Sequence, residues 1–407
     1  MTTAPMVRFM DRTTPPHITT LILLAGISAL NMSIFLPSLN NMTAYFDTDY
    51  AIMQLSVSAY LLATAILQIV VGPLSDRYGR RKIVIIALTI FVLATIGAVL
   101  APSVEIFLLF RMIQAAVATG IVLSRAIVRD MVPQAEAASM IGYVTMGMAL
   151  VPMVGPMIGG ALDVLFDWHA IFVFLALAGT GVLFLCWRDL GETVAGSGVS
   201  FAEQLAGYPE LLTSPRFWGY AMCAAFGSGA FFALLGGASF VAGEFFGLSP
   251  FFTGMALGSP AIGYALGNFL SGRYATRFGI NRMALAGAAV SSVGMGVSLL
   301  LTLAGISHPA LFFGLCTLLG LGNGIMLPSA TAGSLSVRPR LAGTASGLGS
   351  AIMIGGGAAL SALAGSLLSV ETGPLPLQLI MFVTSVLSGT SVLLVMRRER
   401  RLAVNTL

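Results

Sequence analysis

Uncharged apolar runs close to the length that crosses a bilayer dominate this chain. The stretch "IVIIALTIFVLATIGAVL", residues 83–100, contains no charged residue, and about 20 such residues span a hydrocarbon core. Runs of this kind recur along all 407 residues. Lipid offers the backbone no hydrogen bonds, which leaves only helices or closed barrels as spanning structures. Barrel strands would alternate in polarity over about ten residues, whereas these runs are apolar on both faces. The expected fold is all-α: a polytopic membrane protein of twelve transmembrane helices, arranged as two six-helix bundles around a central cavity. The spans are placed near 18–40, 52–72, 83–101, 104–125, 138–162, 169–187, 217–239, 251–272, 283–304, 309–333, 341–368 and 376–396. Composition agrees. Charged residues make up 9% of the chain, against about 25% in an ordinary soluble domain.

The basic residues test the span count, because cytoplasmic loops are enriched in Lys and Arg. Arg8 and Arg12 precede the first span, and Arg77, Arg80, Arg81 and Lys82 follow the second. Arg125 and Arg129 follow the fourth, Arg188 and Arg216 flank the interval between the sixth and seventh, and Arg273, Arg277 and Arg282 follow the eighth. Arg338 and Arg340 follow the tenth, and Arg397, Arg398, Arg400 and Arg401 the twelfth. All of these fall on one side. The opposite loops carry Asp47, Asp49, Glu105, Asp163, Asp167, Glu244 and Glu371. Both termini are therefore expected in the cytoplasm, and the net charge of +4 is accounted for by topology, with no need of a nucleic-acid partner. No cleavable signal peptide is expected, since the first apolar run is long and lacks a small-residue cleavage site. Cys186, Cys223 and Cys316 are isolated and form no CxxC, so they read as packing residues.

The least apolar interval, "RDLGETVAGSGVSFAEQLAGYPELLTSPR", reads as a linker. The expected organisation is an N-terminal bundle at 1–187, a cytoplasmic linker at 188–216 and a C-terminal bundle at 217–407. Shifting the second half back by 200 positions lays "GRYATRFG" (272–279) on "GPLSDRYG" (72–79), matching Gly272, Arg277 and Gly279 to Gly72, Arg77 and Gly79. Such a parallel six-span repeat is a signature of major-facilitator transporters.

The chain also resembles that superfamily residue by residue. "GPLSDRYGRRK", Gly72 to Lys82, matches its loop motif G-x-L-x-D-R-x-G-R-R. "RMIQAAVATG" from Arg111 is similar to the fourth-span motif R-x-x-Q-G-x-G-A, with Ala115 in place of the first glycine. "GMALVPMVGPMIGG", containing Gly147, Gly155, Pro156, Gly159 and Gly160, resembles the fifth-span motif of its antiporters. "FLPSL", "QLSVSAYLLATAILQ" and "RAIVRD" resemble the Bcr/CflA drug-efflux group. The resemblance implies a cytoplasmic latch for the outward-open state, carried here by Asp76, Arg80 and Asp130.

Read physically, Gly72 permits close helix approach and Gly79 a tight turn, and an acid such as Asp76 can cap a helix N-terminus. Asp130 can reach Arg77 or Arg80 if the second and fourth spans are neighbours. Pairs of this kind are expected to break when the cavity opens inward. Arg111 lies about 12 Å into its span, where a charge should face a cavity or a partner; Gln114 shares its face. Asn31, Met32 and Ser33 lie mid-membrane in the first span, ahead of a kink at Pro37. Phe226, Phe231, Phe232, Met146, Met148 and Met326 are candidates for an adaptable apolar pocket, with Asn323 as a polar candidate at similar depth.

Many Bcr/CflA relatives carry an aspartate where Ser33 stands, and no Asp or Glu lies mid-span here. Glu105 and Asp163, near the outer ends, are the remaining proton candidates. "GLGNG" (320–324) lies inside a span, no Walker loop is present, and His17, His169 and His308 have no metal spacing. No cofactor, metal or enzymatic activity is expected. The expected function is proton-coupled export of small amphipathic drug-like compounds by a monomer in a bacterial inner membrane. An importer or uncoupled facilitator of a metabolite is the alternative. A non-transporting receptor or scaffold ranks below both.

Overall fold

A computed structural model describes residues 7–132, 154–193, 208–338 and 341–404, together with Met140, Val144 and Val151. Among the described residues, ten helices are long and apolar enough to cross a membrane. These are α1 (Ile18–Tyr45), α2 (Tyr50–Gly72), α3 (Arg80–Val99), α4 (Val104–Met131), α6 (Trp168–Asp189), α7 (Pro215–Phe245), α9 (Ile280–Leu303), α10 (Pro309–Ser336), α11 (Ala345–Leu367) and α12 (Leu375–Arg401). The shorter α5 (Val154–Leu165) stands where the fifth span was expected. The eighth, α8, comes in two pieces, Pro250–Leu257 and Ser259–Phe278, with Gly258 between them. The protein is an all-helical polytopic bundle.

Local chemistry sets the helix ends and breaks. Asp167 caps α6 by accepting from the backbone N–H groups of His169 at 2.8 Å and Ala170 at 3.3 Å, which satisfies donors a first turn leaves free. Pro215 and Pro309 occupy the first turns of α7 and α10, where a missing N–H costs nothing. Pro37 interrupts α1 with a 3-10 turn, Leu36–Ser38, and a second 3-10 stretch, Gln114–Ala118, tightens α4 just past Arg111. Gly79 and Gly279 hold φ of 96° and 80°, a region that favours glycine, and a new helix starts one residue after each. The repeated motif thus builds the same turn twice.

Large apolar side chains face outward along the bundle, among them Leu93, Leu177, Val293, Leu300 and Leu394, each more than 60% exposed. Exposed apolar surface on this scale belongs against lipid. The two ends of the bundle differ in charge, and they are called here the basic end and the acidic end. Asp189 ties the N-terminal segment to the end of α6: it accepts from Met10 N at 2.7 Å, His17 N at 2.9 Å and Thr20 Oγ1 at 2.6 Å. That clamp places the start of α1 beside the end of α6 at the basic end.

Candidate functional site

Helices of the first and second sets of six meet at the acidic end. Gln54 Nε2 on α2 donates to the carbonyl and hydroxyl oxygens of Ser361 on α11, both at 2.8 Å. Tyr50 OH donates to Gly236 O at 2.9 Å, and Asn40 Nδ2 to Ser239 O at 3.3 Å. A Cβ built on Gly160 would run into the Pro250 carbonyl, and one on Gly254 into the Pro156 carbonyl. Here α5 and α8 touch backbone to backbone.

The contact loosens toward the basic end. Along α2 and α11, a Cβ on Gly365 would meet Gln54 at 2.6 Å and one on Gly355 only Ala65 at 3.9 Å, while Gly72 and Gly347 have nothing within 4 Å. The helices splay apart, and a cavity of about 260 Å³ lies between the two sets. Met32, Tyr60, Thr64, Gln68 and Arg125 line it from one side; Phe231, Phe232, Tyr264, Asn323 and Met353 line it from the other. Among the described residues, the two sets touch closely at the acidic end and more loosely toward the basic end.

The sequence candidates for the pathway divide in this geometry. Met32, Phe231, Phe232 and Asn323 line the cavity. Asn31, Arg111 and Gln114 do not; they form a buried network behind its wall. Arg111 is fully buried and donates to Asn31 Oδ1, Asn31 O and Gln114 Oε1 at 2.8 Å and to Ser56 O at 3.2 Å. Its guanidinium lies 4.2 Å from the Phe35 ring centre and 4.3 Å from that of Tyr60. A charge mid-membrane costs about 2.5–3.5 kcal/mol on insertion scales. Hydrogen bonds to a charged group contribute about 1.5–3 kcal/mol each, and a desolvated cation–π contact about 2 kcal/mol. Neutral partners thus hold this cation without an acid. Tyr60 lines the cavity and lies over the guanidinium, so its ring stands between Arg111 and the cavity. Ser33 is buried, bonded to Ala29 O at 3.3 Å, and a Cβ on Gly155 would lie 3.3 Å from its hydroxyl.

The glycines of α5 serve close packing on two sides. A Cβ on Gly155 would meet Leu30 at 3.0 Å, and one on Gly159 would strike the Ile34 carbonyl of α1; Gly160 and Pro156 face α8 as above. Gly147, with Met146 and Met148, lies outside the described residues. Of the two proton candidates, Asp163 is buried and accepts from Asn41 Nδ2 at 2.6 Å. Glu105 is exposed in the first turn of α4. Neither lines the cavity.

The charged loop after α2 is a bracket inside the first set of helices. Arg80 pairs with Asp76 at 2.5 Å and Asp130 at 3.1 Å, and also bonds Ser75 Oγ. The N-terminus of α3 is capped by Glu192, which accepts from Arg80 N at 2.8 Å, whereas Asp76 turns to Arg80. Arg81 donates to Leu190 O at 2.8 Å and Trp187 O at 3.1 Å, at the end of α6. Arg77 and Arg277 lie over the neighbouring rings of Tyr78 and Phe278, at 5.4 and 5.6 Å. Gly272 is exposed with nothing within 4 Å. The three charged partners Asp76, Arg80 and Asp130 all belong to the first set of helices, and their pairs are formed in this structure.

Sequence reasoning missed Gln54, Tyr60, Asp189, Glu192 and, above all, Arg125. The last was counted with the loop charges, yet it sits inside α4 and lines the cavity.

A helical membrane bundle enclosing a cavity walled by both of its halves defines a membrane transport protein. Its family follows from the sequence itself: the Major Facilitator Superfamily model matches residues 21–362 and 235–406, and the chain belongs to that superfamily. It is 31% identical to the "Uncharacterized MFS-type transporter YdgK" of Bacillus subtilis, over 90% of this chain and 92% of that one. It is 28% identical to "Multidrug resistance protein D" of Escherichia coli, over 88% and 90% of the two chains. Such relatives support its resemblance to the Bcr/CflA drug-efflux group, and membership of the superfamily makes it a transporter and not an enzyme. Among solved structures, a bacterial homologue of the human lysosomal transporter Spinster, inward-facing and unoccupied, shares the fold with a TM-score of 0.69. The two are 20% identical, over 93% of this chain and 96% of that one.

Proposed function

We propose that this protein exports small amphipathic drug-like compounds across a bacterial inner membrane by alternating access, driven by inward proton flow. In this reading the basic end and both termini face the cytoplasm, and two bundles, 1–187 and 217–407, rock about the cavity as a monomer. The observation that carries it is the cavity of about 260 Å³, walled by both sets of helices. The kinship with a multidrug resistance protein supports the substrate class. The Asp76–Arg80–Asp130 cluster then keeps the first bundle rigid while the gap between bundles opens and closes. Asp163 is the better proton candidate, since it is buried one turn beyond Gly160 at the sealed contact. Its protonation would alter the bond to Asn41 beside that seal.

A second reading, an uncoupled facilitator, draws on one observation: no carboxylate is present among the described cavity-lining residues. Proteoliposomes holding the full chain separate the two. With chloramphenicol and an imposed pH gradient, proton antiport gives uphill movement that stops when the gradient is collapsed and is lost in Asp163→Asn. Movement that only equilibrates at every gradient would establish the facilitator instead.

A further inference from the structure

Arg125 differs from the other arginines that hold this fold together. Arg80 has two carboxylates, Arg111 a cage of acceptors and rings, Arg216 and Arg338 a glutamate each. Arg125 makes no hydrogen bond and no ion pair among the described residues, and its Nε is buried without a partner. It stands about 9 Å short of the end of α4 at Met131. Ala118, Ile121 and Arg125 share one helical face, and all three line the cavity. Arg125 therefore faces a space that helices of both sets enclose.

The rest of that space is neutral. Its described lining holds no carboxylate, and Arg125 is its only cation among those residues. Two further polar atoms there lack partners, Asn323 Oδ1 and Thr64 Oγ1. Unpaired buried polar groups are costly, and a bound molecule that pairs them recovers that cost. The unmet demands are complementary: an acceptor for a fixed cation and a donor for a carbonyl oxygen, between apolar walls that include Phe231 and Phe232.

We propose that the cavity selects amphipathic molecules bearing a carboxylate or an equivalent oxyanion, with Arg125 as the anchor and Asn323 Oδ1 accepting from a hydroxyl or amide of the same molecule. The inference rests on reading the cavity as the transport site. It gives the absent carboxylate a meaning: a negative wall would repel this cargo, and a lipophilic cation meets an uncompensated positive charge instead. An interior-negative membrane potential also drives an anion outward, by roughly 40-fold per charge for each 100 mV.

The test measures binding of three radiolabelled probes to the purified full chain: chloramphenicol succinate, which carries a carboxylate, neutral chloramphenicol, and tetraphenylphosphonium. A charge-assisted hydrogen bond predicts that the succinate ester binds roughly 10- to 100-fold tighter than its parent, and the phosphonium weakest of the three. Arg125→Gln should erase the preference for the ester, and Arg125→Lys should restore part of it. Among the described residues Arg125 makes no hydrogen bond or ion pair that holds another residue in place, so both variants are expected to fold. A preference for the ester that survives Arg125→Gln, or wild-type protein that binds the phosphonium as tightly as the ester, overturns the inference. Equal binding of all three probes, with transport intact, sinks the anion selectivity alone. Failure to bind or move any of them sinks the transport reading with it.

Discussion

The two ends of the molecule are held by different chemistry. At the acidic end, helices from opposite sets meet through glycine backbones and neutral hydrogen bonds, as at Gly160 against Pro250 and Gln54 against Ser361. At the basic end, charges abound, but the two clusters described there, around Arg80 and Glu399, each lie within one set. Arg80 gathers Asp76 and Asp130 in the first; in the second Glu399 gathers Arg216 at 2.6 Å, Asn281 at 2.6 Å and Tyr220 at 3.3 Å. The hub is a cation in one half and an anion in the other. The contrast separates two tasks. The contact between the sets at the acidic end is made of neutral groups, which shed water cheaply, whereas stripping water from charges is expensive; on the proposed alternating access, that is the contact that has to part. The described ionic clusters lie within one set each, and on that proposal they need not part with the seal.

The sharpest way to break that contrast is to fill the seal. Gly160→Leu forces a side chain onto a backbone carbonyl that cannot swing aside. Overpacking of this kind costs about 1–3 kcal/mol, up to roughly 100-fold in the population of the sealed state. Chloramphenicol transport should fall at least about tenfold. A reporter cysteine, Ser239→Cys, should become reactive to an impermeant thiol reagent from the acidic end. Gly160→Ala should give the same change in smaller measure. An unreactive reporter in Gly160→Leu would mean the seal does not depend on α5 meeting α8.

Arg80→Gln probes the other end and is expected to act on stability. It leaves Asp76 and Asp130 without their shared cation, for a loss of about 2 kcal/mol read by thermal unfolding in detergent. Labelling of Ser239→Cys should not change. If it does, the cluster biases the opening of the cavity, and the division of tasks between the ends collapses.

Much of this was legible in the sequence because the signals are local. Span positions follow from uninterrupted apolar runs, and the tight turns at Gly79 and Gly279 follow from glycine between charged helix ends. Arg111 with Gln114 announced a polar focus within α4, and the two are indeed bonded at 2.8 Å. What the sequence could not show is which face of that focus meets the cavity. That depends on Phe35 and Tyr60, which come from two other helices and cover the guanidinium. Arg125 was misplaced for a related reason: a charge near the end of an apolar run looks like the start of a loop. Only the continuation of α4 to Met131 shows that it lies within the helix. Asp189, read as the edge of a linker, turned out to be a clamp because its partners lie more than 160 residues away.

The smallest effect is expected at Glu399, and it sharpens the comparison of the two hubs. Arg216 and Glu399 are each about a third exposed (33% and 29%), whereas the Arg80 side chain is only 9% exposed. Solvent screens the first pair more, and exposed pairs contribute about 0.2–1 kcal/mol. Asn281 donates to one Glu399 oxygen and Tyr220 and Arg216 to the other, so Glu399→Gln keeps an acceptor on one side and loses the charge and the bonds on the other. Its unfolding midpoint should therefore fall by less than half as much as that of Arg80→Gln in the same detergent. An equal or larger drop would mean that the anionic hub braces its half as firmly as the cationic one. Burial would then have ceased to rank them, and the bonds to Asn281 and Tyr220 would have to depend on the full carboxylate charge.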